Sequence, residues 1–354
     1  MATAAADSSV TASTTITVQA TDPLGTTSFS RLTCPTFSAG TSGAACYEVH
    51  ISCPGVADFS AYVKVNQPSA SPIGTVILGT GEGGSGLYDD SADFIAAEGT
   101  NGGLMVVNDL LDANYTTAQV SFGAPFNTNT PNGWLTGPGG VRRLACRYAT
   151  LAQWIQTNVP PPTKIPLCAT GNSGGAGAIG YALMEYGLDS IFTMVESTSG
   201  PPMSRLDQAC VQPSACQSTA FTCNPGDQPE NIHMCYSASE LQIIDPAYSQ
   251  PLCTNALNGT VPPDGLLLSD SILGGPTRTF SPTYVNVVVG GQDTRSAVDQ
   301  ALTWESELCE RRAACSALSP GWRAAHCRRH RKCLPVGEES LLHFPHPLCK
   351  NFHP

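Results

Sequence analysis

The sequence predicts an α/β fold, a mainly parallel sheet flanked by helices, and three observations predict it. Short apolar runs such as Thr75-Val-Ile-Leu78 and Gly103-Leu-Met-Val-Val107 have the continuous apolar character of strands covered on both faces. Segments of helical period alternate with them. A glycine-rich turn, Gly171-Asn-Ser-Gly-Gly175, stands between one such strand and one such helix. With 354 residues, 41% of them hydrophobic, the chain is long enough to bury one large core and carry an insertion.

The elements follow in order. Residues 1–30, rich in Ala, Ser and Thr, read as a loose arm with a strand at Thr14–Ala20. Residues 31–199 read as the first part of the core. Between Tyr47 and Val65, β-like runs broken by Pro and Gly predict antiparallel edge strands crosslinked through Cys46 and Cys53. Thr75–Leu78 and Gly103-Leu-Met-Val-Val107 read as buried strands. Val141–Thr157 reads as an amphipathic helix with Leu144, Tyr148, Leu151, Ala152 and Ile155 along one side, stopped by Pro160, Pro161 and Pro162. A strand at Ile165–Thr170, a helix at Ala176–Tyr186 and a strand at Ser190–Glu196 complete this part. Residues 200–280 break the rhythm with five cysteines and many prolines, and read as a disulfide-stapled lid insertion. The core resumes over 281–316, with a strand at Tyr284–Val289 and a helix at Ser296–Cys309. From 317 to 354 the composition turns to Arg, His and Cys.

Composition excludes several classes. A net charge of −11 leaves no phosphate-neutralising face over most of the chain, which argues against a nucleic-acid partner. Fifteen cysteines without C-x-x-C knuckles predict disulfides rather than a metal site, and so an oxidising, extracellular address. The sequons Asn114-Tyr-Thr and Asn258-Gly-Thr fit that address. The first residues lack the cationic and apolar regions of an export signal. No run approaches the roughly 18 apolar residues of a membrane span. No cofactor is implied.

Gly171-Asn-Ser-Gly-Gly175 matches G-x-S-x-G in the context that gives the pattern meaning, a tight strand-to-helix turn. Such a turn exposes Ser173 as a nucleophile, and the helix behind it offers the Gly174 N–H to an oxyanion. Asp293 follows the strand at Tyr284–Val289. A carboxylate there lies at the sheet's carboxyl edge, where Ser173 also stands, and it suits a triad acid. It also suits a cap for the next helix. Glu196 and Asp207 are the alternative acids. A rival motif, G-x-G-x-x-G, occurs at Gly79–Gly84 and Gly175–Gly180, but the second begins too far past its strand for a dinucleotide turn.

On the glycine-rich run Gly79-Thr-Gly-Glu-Gly-Gly-Ser-Gly86, the Ser173 turn and Val289-Gly-Gly-Gln-Asp293, the chain from about Thr75 to Cys315 resembles the α/β-hydrolase superfamily and its secreted esterase-like enzymes. The resemblance implies a carboxylic-ester hydrolase acting through an acyl-enzyme, with a small-molecule, lipid or polysaccharide ester as substrate. It implies a second oxyanion donor at the backbone of Gly81 or Glu82. It puts the triad base at His326, 33 residues beyond Asp293. The surroundings of His326, Gly321-Trp-Arg-Ala-Ala-His-Cys-Arg-Arg-His330, lack the strand, loop and helix pattern such a base requires. This break is what translation out of frame produces. Codons permitted for Gly321–His326, read one base on, can encode Gly-Ala-Pro-His. A chain without a placed base is a binding protein on the same fold, the alternative function.

Overall fold

The computed structural model describes residues 21–36, 40–90, 101–123, 132–159, 165–222, 230–263, 265–275, 283–290 and 295–313, with residues 2–3, 11–12, 126, 293 and 332–334. Among the described residues, nine strands form the central sheet: β1 (Thr26–Leu32), β2 (Ala45–Ser52), β3 (Phe59–Asn66), β4 (Gly74–Gly79), β5 (Tyr115–Ser121), β6 (Leu167–Asn172), β7 (Phe192–Thr198), β8 (Tyr284–Gly290) and β9 (Lys332–Leu334). Their spatial order is β9-β8-β7-β6-β4-β5-β3-β2-β1. From β9 to β5 every pairing is parallel, and β3, β2 and β1 join antiparallel at the far side.

The parallel strands are buried on both faces, as their composition requires. Ile77 of β4 packs into the larger core with Leu151, Ile155, Ile179 and Leu183. Val76 and Leu78, one residue to either side, point to the opposite face and meet Val106, Val107, Leu110, Cys168 and Met194. The first layer comes from helices α2 (Cys146–Asn158) and α3 (Gly174–Met184), and the second from α1 (Gly102–Asp112). Helix α4 (Ser296–Ala313) adds Val298, Ala301 and Trp304 to the larger core.

Three expectations are corrected. Gly103–Val107 is helical, not a strand. The Asn101 side chain accepts the Leu104 N–H at 2.9 Å and caps the helix. Val106, Val107 and Leu110 are buried while Met105 is exposed, a one-sided pattern of helical period. The strand of that stretch is Tyr115–Ser121, where alternating small and polar residues hide its full burial. Secondly, the arm expected over 1–30 contains β1, an exposed edge strand on β2; Thr14–Ala20 lies outside the described residues. The crosslinks expected through Cys46 and Cys53 are present, Cys46 bonding Cys34 and Cys53 bonding Cys146. The two cysteines lie an odd number of residues apart on and just past β2, so their side chains leave opposite faces of the sheet. Thirdly, the helix expected over Val141–Thr157 is interrupted at Ala145, between the short turn Val141–Leu144 and α2.

One buried ion pair ties the antiparallel edge to the parallel body. Lys64 of β3 donates to both Asp89 oxygens at 2.8 and 2.9 Å, and both side chains are wholly buried. Asp89 also accepts the Thr41 N–H and hydroxyl. Burial raises the Asp89 pKa, but Lys64 and Thr41 outweigh it and hold the carboxyl below its usual range.

Candidate active site

The carboxyl ends of β4, β6, β7 and β8 meet at one edge of the sheet, and backbone hydrogen bonds lock them together. The Ser173 N–H donates to the Thr198 carbonyl at 2.8 Å, and the Ser199 N–H donates to the Val288 carbonyl at 2.8 Å. Ser173 sits between β6 and α3 with φ 47° and ψ −113°. An L-residue in this region costs about 1–3 kcal/mol, and such strain concentrates at functional positions. Two other non-glycine residues at this edge share positive φ, Glu82 at 50° and Ser199 at 45°.

The glycines of the turn are required by close approach. A methyl on Gly174 would overlap the Glu82 carbonyl oxygen and stand 2.7 Å from its carbon. One on Gly175 would stand 2.6 Å from the Thr80 carbonyl oxygen, and one on Gly171 would stand 2.5 Å from the Gly175 carbonyl carbon. The loop Thr80–Gly84 therefore lies directly on the Ser173 turn. That loop is closed by the Gly84 N–H donating to the Gly81 carbonyl at 2.8 Å.

Among the described residues, the N–H groups of Gly81, Glu82 and Gly174 donate to no protein acceptor. For Gly174 the reason is general, because the first-turn donors of a helix have no intrahelical partner. The Ser173 hydroxyl, half-buried, also makes no hydrogen bond among the described residues. Free donors beside a half-buried hydroxyl on a strained turn can hold an oxyanion as that hydroxyl attacks a carbonyl.

Asp293 stands three residues past β8, its side chain 6% exposed. Its Oδ1 accepts the Arg295 N–H at 3.0 Å and the Arg295 Nε at 3.2 Å. The carboxylate thus contacts Arg295, the residue before α4, and no N–H within the first turn of that helix among the described residues. Of the other acids, Glu196 is buried within β7 with Oε2 accepting from Asn286 at 2.7 Å, and Asp207 is paired with Arg205 at 2.7 Å. Both are committed below or beside the edge.

Of the seven histidines, His50 and His233 are described. His50 pairs with Asp58 at 3.4 Å on β2, and His233 Nδ1 lies 3.0 Å from the Cys235 carbonyl. Neither hydrogen-bonds Ser173. His326 lies outside the described residues, as do Gly291 and Gln292 of the Asp293 motif. The backbone of β9 runs parallel to β8, so the chain leaves Leu334 at the edge where Ser173 stands, whereas His326 precedes that strand.

The Cys-rich stretch holds the disulfides Cys210–Cys253 and Cys216–Cys235. Gln300 of α4 accepts the Arg205 N–H at 2.7 Å, and Ser296 donates to Glu240. The stretch is therefore docked on the helix that follows Asp293. Of the sequon residues, Asn258 is exposed and Asn114 half-buried. The second G-x-G-x-x-G, Gly175–Gly180, lies wholly within α3 and forms no turn. Sequence reasoning missed Ser199, whose only signal is the Ser-Gly-Pro-Pro turn after β7.

Strand order and the Ser173 turn define the fold: from β2 onward this is the α/β-hydrolase sheet, with β1 added at its edge. No family model and no curated protein sequence matches the chain. Similar solved structures include a carboxyl esterase from Bacillus coagulans, at 12% identity, 77% of this chain and 87% of that one, with TM-score 0.43. A bacterial heroin esterase is similar at 17% identity over 77% and 74%, with TM-score 0.39. Est1E from Butyrivibrio proteoclasticus is similar at 9% identity over 74% and 84%, with TM-score 0.38.

Proposed function

We propose that this protein is a serine hydrolase cleaving carboxylic esters through an acyl-enzyme. The observation that carries the reading is the Ser173 hydroxyl on a strained turn, without a hydrogen bond among the described residues, beside the N–H groups of Gly174 and of Gly81 and Glu82 in the loop packed on it, which likewise have no acceptor among those residues. The Ser173 Oγ attacks the ester carbonyl while a histidine takes its proton. The N–H groups hold the oxyanion. The alcohol leaves with the proton from the histidine, and water then cleaves the acyl-serine by the same route. Asp293, two strands from Ser173, orients that histidine. His326 is the base in chain order, and His343 is the rival favoured by the direction of β9. Residues 200–280 cover the site as a lid, and the substrate is a small-molecule, lipid or polysaccharide ester. The four disulfides described by the structure support an extracellular address with glycans at Asn258 and Asn114. Among the described residues no helix is long and apolar enough to cross a membrane.

Hydrolysis of p-nitrophenyl esters tests the reading. Ser173→Ala is expected to lower kcat by about 10⁴ or more, and Asp293→Asn by about 10⁴. Whichever of His326→Ala and His343→Ala matches the Ser173 loss identifies the base. A second reading, a non-catalytic binding protein, is favoured by the absence of a histidine bonded to Ser173 among the described residues. No turnover of any ester by the folded protein supports it, whereas turnover that Ser173→Ala leaves intact would rule out Ser173 as the nucleophile.

A further inference from the structure

Glu82 occupies a position where glycine would be free of cost. It stands in a four-residue turn, Gly81–Gly84, with φ 50°, and the other three residues are glycines. If the turn needed only its backbone shape, a fourth glycine would supply it without the penalty an L-residue meets there. The side chain is therefore the feature to explain. Its root lies close to the nucleophile: the Glu82 Cα would stand 3.2 Å from a methyl on Gly174, the residue after Ser173. The side chain is exposed while Gly81, Gly83 and Gly84 are buried, and it pairs with no cation among the described residues.

A carboxylate carried on the loop against the Ser173 turn, with no cation on it among the described residues, acts on the charge of what binds there. It disfavours an oxyanion and repels any anionic group of the substrate, unless the substrate itself brings a cation. Resting on the ester-hydrolase reading above, we propose that Glu82 is a specificity-determining residue that selects esters carrying a cationic group, such as an ammonium, near the scissile bond and rejects anionic ones. The carboxylate acts on the substrate's charge and takes no part in bond making.

The test compares three acetate or butyrate esters of similar size: choline, the neutral 3,3-dimethylbutyl isostere and an anionic sulfonatoethyl ester. Selectivity is read as ratios of kcat/KM within each protein, so a general loss of activity cancels. Glu82→Gln keeps the size of the side chain and removes its charge. The cationic-to-neutral ratio should fall about five- to tenfold in the variant and the anionic-to-neutral ratio should rise by a similar factor, the scale of one charge acting over several ångströms at intermediate dielectric. The wild-type preference should also shrink as salt rises. Ratios equal in wild type and Glu82→Gln, with neutral-ester turnover still dependent on Ser173, would overturn this inference alone. No turnover of any ester would overturn the hydrolase reading and this inference with it.

Discussion

Gly174→Ala is the substitution whose consequence follows most directly from the geometry. The new methyl would overlap the Glu82 carbonyl oxygen and stand 2.7 Å from its carbon. Real methyl contacts need over 3 Å, so the Thr80–Gly84 loop must retreat by about an ångström or more. Overpacking of this kind costs about 1–3 kcal/mol of stability. The functional loss is the larger effect, because the loop carries the Gly81 and Glu82 N–H groups and the shift takes them away from Ser173. Losing one oxyanion donor costs about 10²–10³ in kcat, so Gly174→Ala should lose at least that much. The assay is kcat for a p-nitrophenyl ester, with a thermal melt on the same sample to show that the protein is folded. A folded variant within threefold of wild-type kcat would refute the reasoning, since it would mean that the loop's position does not matter to turnover.

Other perturbations address the frame around the site. Lys64→Met leaves the Asp89 carboxylate buried without its partner and should cost about 3–5 kcal/mol in urea unfolding; Lys64→Met with Asp89→Leu should recover most of it. Asp270, pushed up to about 6 chiefly by burial and only partly offset by the neighbouring Tyr248 hydroxyl, Arg142 and Arg143, gives a pH test. Its folded pKa lies above its unfolded value, so the folded state binds the proton more tightly. Stability should then fall by about 2 kcal/mol as pH rises from 4 to 6, and Asp270→Asn should flatten that slope in unfolding measured across the range. Replacing Cys53 and Cys146 by alanine removes a crosslink between residues 93 apart, and should cost about 4 to 5 kcal/mol by the loss of loop constraint alone.

What the sequence revealed was governed by how local the determinants are. The short apolar run at Thr75–Leu78 and the Val-rich run at Tyr284–Val289 were legible as strands of the parallel sheet, because β-branched residues fill both. The Ser173 turn was legible because its glycines are demanded by close backbone approach, which leaves a mark on the residues themselves. Gly103–Val107 misled because five apolar or small residues have no distinguishing period. The cap at Asn101 and Leu110 one turn beyond Val106 were the deciding signals. Tyr115–Ser121 was missed because Thr116, Thr117 and Gln119 are buried polar residues that look like a surface loop. Disulfide partners such as Cys53 and Cys146 are set by the tertiary fold and leave no trace in spacing. The base is the least legible part, because the segment carrying His326 shares neither the composition nor the periodicity of the rest.

The central claim is that Ser173 is the nucleophile of a hydrolase, and covalent labelling tests it most directly. The folded protein, treated with a fluorophosphonate and digested, should carry the label on the peptide containing Ser173, and Ser173→Ala should carry none. A folded, disulfide-intact protein that takes no label, or takes it equally in Ser173→Ala, would contradict the account.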